Sequence, residues 1–414
     1  MGGQSCMTLR DTPRPVRAPA SGKGEQTGET SPASLCDRAT RRQLGTVVVA
    51  LVVAIAGFAA MAFAFGPLES TSLSEPSPSD AASPSAEPLP SVDPRVTARI
   101  PLESDGGISA ILYAEQSVWV TASFVEGGGG VDESMLFRIE AQSNEVVAEI
   151  PLGGGPTFVS GGGGLAYGFG SVWVAGYGQI DGRSQAVAYR VDPVSNSVAA
   201  SIPLNGSHGA DVAVDENSVW VAHFGKDHAG VSRIDPATEG VVADIALPSD
   251  YVRRITAAGR GVVATELEWT GNEGPCTVLT AIDPATVTIS AREPVGPDCG
   301  GVQLFAWNGE IWASGAGLER VDPMTARLVG PSIPFEPEHS PRSFVLGIGR
   351  EVWFGAYPGG NGGRPDRIAR LDAATGSIEY FIEEGGMDAV LAPESRTIWI
   401  LEYDRGLTRV DLGG

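Results

Sequence analysis

The sequence predicts an all-β fold, a seven-bladed β-propeller of four-stranded blades, preceded by one transmembrane helix. Three observations predict it. A tryptophan-centred apolar stretch recurs about every 47 residues between Trp119 and Trp399. An Arg-aliphatic-acid element follows each copy, and an uncharged apolar run, residues 44–65, precedes them all.

The tryptophan stretch appears as Ser117-Val118-Trp119-Val120, Ser171-Val172-Trp173-Val174 and Ser218-Val219-Trp220-Val221. It returns around Trp312, Trp353 and Trp399, and Gly261-Val262-Val263-Ala264 is a degenerate copy between Trp220 and Trp312. The second element runs Arg138-Ile139-Glu140, Arg190-Val191-Asp192-Pro193 and Arg233-Ile234-Asp235-Pro236. It continues as Ala281-Ile282-Asp283-Pro284, Arg320-Val321-Asp322-Pro323, Arg370-Leu371-Asp372 and Arg409-Val410-Asp411. Seven copies of each, with Val/Ile/Ala-rich runs bounded by Gly, Asn, Asp and Pro, fit seven blades of strands A to D. The repeated tryptophans are expected as core between blades. The repeated aspartates are expected as turn formers, since Asp bonds its own backbone and Pro presets φ.

Ring closure is also predicted. The last repeat stops at Arg409-Val410-Asp411-Leu412, while the domain opens with Val96–Leu102, which matches strand D text such as Val147–Leu152. The first strand should therefore complete the last blade and remove free sheet edges. Repeats of the form S-V-W-V … R-I-D-P-A-T resemble the YVTN-type propellers and the related virginiamycin B lyase-like group. Over residues 96–414 that resemblance implies a seven-bladed propeller and no single activity. The lyase group uses a His/Glu metal arrangement that does not align here, and the quinoprotein tryptophan-docking repeat is not evident.

The segments before the propeller give four domains: 1–43, 44–65, 66–94 and 95–414. Residues 1–43 carry seven Lys/Arg against four acids, with Pro, Ser, Thr and Gly between them, and read as a disordered cytoplasmic tail. Residues 44–65, at 1.5 Å per helical residue, span about 33 Å, enough for a bilayer core. Arg38, Arg41 and Arg42 lie just before the run and favour an N-terminus inside and a propeller outside. Ala62-Phe63-Ala64 also suits signal-peptide cleavage, but the long basic lead favours a signal-anchor. Residues 66–94, with seven prolines and eight serines, read as an extended stalk.

The formal net charge of -22 disfavours nucleic acid as a partner. Cys6 and Cys36 fall in the tail; Cys276 and Cys299 fall in the propeller, at the same rim of one blade, and are expected to form a disulfide in an oxidising compartment. In the chain-entropy model such a bridge stabilises by about 3 kcal/mol. Connections B–C, such as Phe124–Glu133, Tyr177–Gln185, Phe224–Gly230, Leu267–Pro275 and Tyr357–Arg367, are long and varied, whereas A–B and C–D turns are short. Function should sit on the B–C/D–A rim, where a rigid scaffold carries variable loops. The candidate ligand-binding residues there are His208, Asp211, His223, Asp227, His228, Trp269, His339 and Arg342. No metal motif and no cofactor motif is present, so neither is expected. No nucleophile elbow occurs, and catalytic residues are not identified. The functional expectation is a membrane-anchored extracytoplasmic module that binds a ligand or protein. The alternative is an exported propeller enzyme, a lyase or a quinone-dependent dehydrogenase.

Overall fold

A computed structural model describes residues 93–413, apart from 103, 105–106, 125–132, 154–163, 181–182, 227–228, 270–274, 296–301, 316, 336–343, 357–366, 384–385 and 403–405. The predicted tail, span and nearly all of the stalk lie outside the described residues. Among the described residues, no helix is long and apolar enough to cross a membrane.

Among the described residues, 28 strands form seven antiparallel sheets of four, so the predicted propeller is the fold. Six sheets follow chain order. The seventh runs Asp388–Ala392, Thr397–Glu402, Gly406–Asp411 and then Val96–Ile100, the first strand of the domain. Val96 pairs with Val410 and Ile100 with Leu407, which closes the ring as the matching text predicts. Gly406 is required at this seam. Its φ is 101°, and a Cβ there would stand 2.1 Å from the Ile100 carbonyl oxygen.

Burial follows strand position. Strand B of blade 1, Ser117–Phe124, is buried at every residue but the last, because both of its faces meet other blades. Strand D, Val146–Pro151, is the outer edge and buries fully only Ile150. Trp119, Trp173, Trp220, Trp353 and Trp399 are fully buried, as the core role predicts.

The arginine of the second element explains why the two motifs recur together. Trp119 pairs with Arg138 and Trp220 with Arg233 across strands B and C. The guanidinium covers its tryptophan ring in blades 1, 2, 3, 6 and 7, at 5.1 to 5.9 Å from the centroid. It then reaches the next blade. Arg138 Nη1 donates to Pro193 O (2.6 Å) and Asn196 Oδ1 (2.9 Å), and Arg190 Nη1 to Glu239 Oε1 (2.7 Å). Arg233 Nη1 donates to Pro284 O (3.0 Å), and Arg409 Nη1 to Ala141 O and Asn144 Oδ1 (both 2.9 Å). Blades 7, 1, 2, 3 and 4 are thereby fastened in series. In blade 4 the paired positions hold Val263 and Ala281.

The aspartates after strand C form turns. Asp192, Asp235, Asp283, Asp322 and Asp372 each accept a backbone N–H two residues on, at 2.8 to 2.9 Å. Those bonds, foremost, hold all five carboxyls below the usual value.

Two predicted B–C connections are shorter than expected. Strands Ser171–Ile180 and Arg183–Asp192 pair out to Ile180 and Arg183, so most of Tyr177–Gln185 is strand. The sequence between them is Asp181-Gly182, a dipeptide suited to a tight hairpin. Tyr189 also donates its hydroxyl to Tyr177 O (2.9 Å) across the pair, which extends the ladder. In blade 4 strand B runs on to Trp269, opposite Pro275.

Candidate functional site

The B–C/D–A rim carries a run of rings from blade 2 to blade 4. Tyr177 ends the buried part of a B strand. His208 begins the A strand His208–Val214, Phe224 ends the B strand Val219–Phe224, and Tyr251 begins the A strand Tyr251–Ala258. Their ring centroids are 5.3 Å (Tyr177–His208), 5.4 Å (His208–Phe224, stacked) and 4.6 Å (Phe224–Tyr251) apart. All four are half-buried, so the run shows part of its surface to solvent. Ser207 Oγ meets His208 Nδ1 at 2.8 Å, and burial pushes the His208 pKa down, favouring a neutral ring. Beside the run, Ile180, Arg183, Ser184, Gln185, Leu204 and Asn205 line a cleft of about 580 Å³.

Beneath the rim lies the axial channel. The A-strand residue opposite the second position after each tryptophan site is Ala110, Asp211, Arg254, Gln303 and Asp388 in blades 1, 3, 4, 5 and 7. Gly164 and Phe344 hold the same level in blades 2 and 6. Residues of all seven innermost strands line a cavity of about 220 Å³ here. Asp211 is buried and its carboxylate is fully engaged. Oδ1 accepts from Gly164 N (2.7 Å) and Val212 N (2.8 Å), and Oδ2 from Ile255 N (2.9 Å). It ties three blades by their backbones. Desolvation raises its pKa against the opposing pull of Arg254 and those bonds. Among the described residues, Asp388 accepts only from Ala389 N (2.9 Å), and burial pushes its carboxyl up to about 7.

Of the predicted ligand residues, the structure brings His208 into the aromatic run and Asp211 into the axial channel. Trp269 is 71% exposed at the end of its strand. Asp227, His228, His339 and Arg342 lie outside the described residues. His223 is fully buried, a correction to its expected place on the rim. Strand alternation turns its ring into the packed interior of blade 3, where a rim ligand does not reach it. There His223 Nε2 meets Asp244 Oδ1 (2.9 Å) and Ser232 Oγ (3.0 Å). Both partners use the same nitrogen, whereas a nucleophilic triad needs serine and acid on opposite nitrogens. Ser232 is itself fully buried.

That cluster has counterparts. Glu266, Thr280 and Arg292 occupy the same B, C and D positions in blade 4, with Arg292 Nε 3.1 Å from Glu266 Oε1. Glu402, Thr408 and Arg99 do so in blade 7, with Arg99 Nη1 3.0 Å from Glu402 Oε1. Each is a polar cross-link through one sheet. Cys276 is buried and disulfide-bonded; its partner lies outside the described residues, as does Cys299. Among the described residues, no group of three or more His, Cys, Asp or Glu could hold a metal ion.

Sequence reasoning misses Tyr177, Phe224, Tyr251, Arg254, Gln303 and Asp388. The axial residues have a signal: they stand opposite the residue two past each tryptophan position.

A model described as "Family of unknown function (DUF6454)" matches residues 106–229. No curated protein matches the chain. Among solved structures, the chain is similar to the WD40 domain of Neurospora crassa Pan2, with a TM-score of 0.51 and 12% identity over 75% of this chain and 90% of that one. It is also similar to the computationally designed Ika8 protein, with a TM-score of 0.49 and 12% identity over 75% and 98%. At that identity the first likeness supports the propeller fold alone.

Proposed function

We propose that the protein is a membrane-tethered binding module whose B–C/D–A rim holds a cell-envelope glycan. One observation carries this reading: the half-buried ring run Tyr177–His208–Phe224–Tyr251 beside a polar cleft. Ring faces stack on the apolar faces of sugars, and the amides of Gln185 and Asn205 offer both donors and acceptors to hydroxyls. The cleft falls within the usual size of ligand sites, about 300–1,000 Å³. The fold suits a rigid binding scaffold. The sequence features of residues 1–94 support a cytoplasmic N-terminus, a span at 44–65 and a stalk that holds the propeller outside the cell. A Cys276–Cys299 bridge belongs to the same oxidising compartment. The enzymatic alternative gains nothing from the His223–Asp244 pair, because His223 is fully buried and meets both Asp244 and Ser232 through the same nitrogen.

The test is co-sedimentation of the purified protein with isolated cell-envelope polysaccharide. Tyr177→Ala combined with Tyr251→Ala should weaken binding about tenfold or more, given roughly 0.5–1.5 kcal/mol for each lost ring contact. Undiminished binding in the double variant, or protection of the Asp-Pro turns on the other rim, rejects the reading.

A further inference from the structure

We propose that the axial cavity binds a small zwitterion, an α-amino acid with an apolar side chain, its ammonium on Asp388 and its carboxylate on Arg254. The site is separate from the rim and stands whether or not the rim binds a glycan.

Three observations carry it. Asp388 is only 8% exposed, lines the cavity, and uses one carboxylate oxygen on the adjacent Ala389 N–H. Its Oδ2 has no hydrogen-bond partner among the described residues. That oxygen opens into the cavity, where a ligand donor can form a charge-assisted hydrogen bond with it. Arg254 lines the same cavity and acts electrostatically on both Asp211 and Asp388. Among the described residues its guanidinium forms no hydrogen bond and no ion pair, so its planar fork is open to a carboxylate. Asp211 does not compete, because its two oxygens are taken by three backbone N–H groups.

The charge pattern selects the ligand. Arg254 offsets one of the two axial acids, which leaves Asp388 as the acid whose ionised form a ligand cation would stabilise. One ammonium balances it. A bare divalent cation fits poorly, because it wants six or more oxygens and would face a guanidinium. Leu304, Phe344, Val345 and Leu346 form an apolar flank on blades 5 and 6, between Arg254 on blade 4 and Asp388 on blade 7. The volume, about 220 Å³, equals roughly seven waters at ~30 Å³ each, small for a drug-sized ligand and sufficient for an amino acid.

The experiment is isothermal titration of the full-length protein with free α-amino acids, tested one at a time, and with n-butylamine and butyrate as half-ligands. An apolar amino acid should bind, and each half-ligand should bind about tenfold more weakly or worse, since each lacks one charge-assisted contact. Asp388→Asn and Arg254→Gln should each cost a similar factor, while Val194→Ala, at an exposed turn position, should leave the affinity unchanged. The proposal falls if no amino acid binds, if binding survives both axial substitutions, or if Ca²⁺ or Mg²⁺ displaces the amino acid. Should either variant fail to fold, the wild-type protein still decides. A saturating amino acid must shift the Asp388 and Ala389 amide resonances, and their constancy overturns the site.

Discussion

On the rim of A–B and C–D turns, at the four junctions that link blades 7, 1, 2, 3 and 4, one arginine covers a tryptophan and then fastens the turn of the next blade. On the opposite rim the contacts between blades are rings in partial exposure, and the connections vary in length. Both rims are built by the same strands. What differs is which end of each strand carries the repeated residues, and so which face is held uniform and which is left open to vary. A propeller needs only one locked face, because fixing the position of each blade at one end also fixes the other. The unlocked rim can then collect ligand-facing side chains without loss of the ring.

The sharpest test sets the rims against each other with one residue type. Trp220→Ala on the locked side should cost about 3–5 kcal/mol, the range for emptying a large buried site. Trp269→Ala on the open side should stay within about 0.5 kcal/mol, because that ring is 71% exposed. Urea unfolding measures both. Similar losses would mean that the two rims share the load.

The turns and the axis should also respond to pH with opposite sign. The turn aspartates of the locked rim have lowered pKa values, so their stabilisation is present above the unfolded value and fades as pH falls through the folded one. Asp388 on the axis is raised from 3.8 to about 7 by burial. The folded state holds its proton more tightly than the unfolded chain does. Stability therefore falls as pH climbs from about 4 to about 7, by an amount on the order of 4 kcal/mol, and is level above that. Asp388→Asn should flatten the decline, read as unfolding midpoints at about pH 5 and about pH 8. A wild-type protein no less stable at the lower pH than at the higher contradicts the assignment.

The blades are legible in the sequence because every junction sets the same packing problem. A tryptophan, an arginine and an acid recur where strands B and C meet a neighbour, with Val263 and Ala281 in place of the first two in blade 4, and Val96–Leu102 repeats the wording of strand D. The sequence misplaces His223 because its nearness to a loop suggests a rim position. Both faces of a propeller strand are buried, so alternation sends Trp220 and Ala222 to one interior and Val221 and His223 to another. The axial set is hidden for a different reason. Asp211, Arg254, Gln303 and Asp388 belong to four strands far apart in the chain, and they converge only when the ring closes. The cross-links His223–Ser232–Asp244 and Glu266–Thr280–Arg292 share blade positions but no residue types, so no repeat in the text announces them.

Within the locked rim, Arg138→Ala should cost about 1–3 kcal/mol through the loss of charge-assisted hydrogen bonds to the next turn and of the cover over Trp119. Arg320→Ala should cost less. Its partner Glu310 lies in its own blade at an exposed position, where an ion pair contributes about 0–1 kcal/mol. Equal losses in thermal unfolding would show that the link between blades matters no more than a surface pair.

The smallest expected effect falls on one turn of the locked rim and has the opposite direction. The fifth residue of each C–D turn is left-handed: Asn144 (φ 63°), Asn196 (51°), Glu239 (58°), Val287 (55°), Ala326 (58°) and Gly376 (72°). Val287 N donates to Asp283 O (2.8 Å), and Asn144, Glu239, Ala326 and Gly376 close their turns by the same backbone bond. Val287 is the β-branched member, and such a residue at positive φ is strained by about 1–3 kcal/mol. The same position supplies an acceptor to the preceding blade elsewhere: Asn144 to Arg409, Asn196 to Arg138 and Glu239 to Arg190. Arg233, which faces the Val287 turn, has the Pro284 carbonyl there and no side-chain acceptor from Val287. Val287→Asn relieves the strain and adds that acceptor, against the loss of some apolar contact with the core between blades 3 and 4. A net gain of about 1 kcal/mol is expected from urea unfolding. In an Arg233→Ala background the gain should shrink to the strain relief alone, because the new amide then has no guanidinium to receive. A gain that is the same in both backgrounds would show that the turn conformation, and not the link to blade 3, limits this junction.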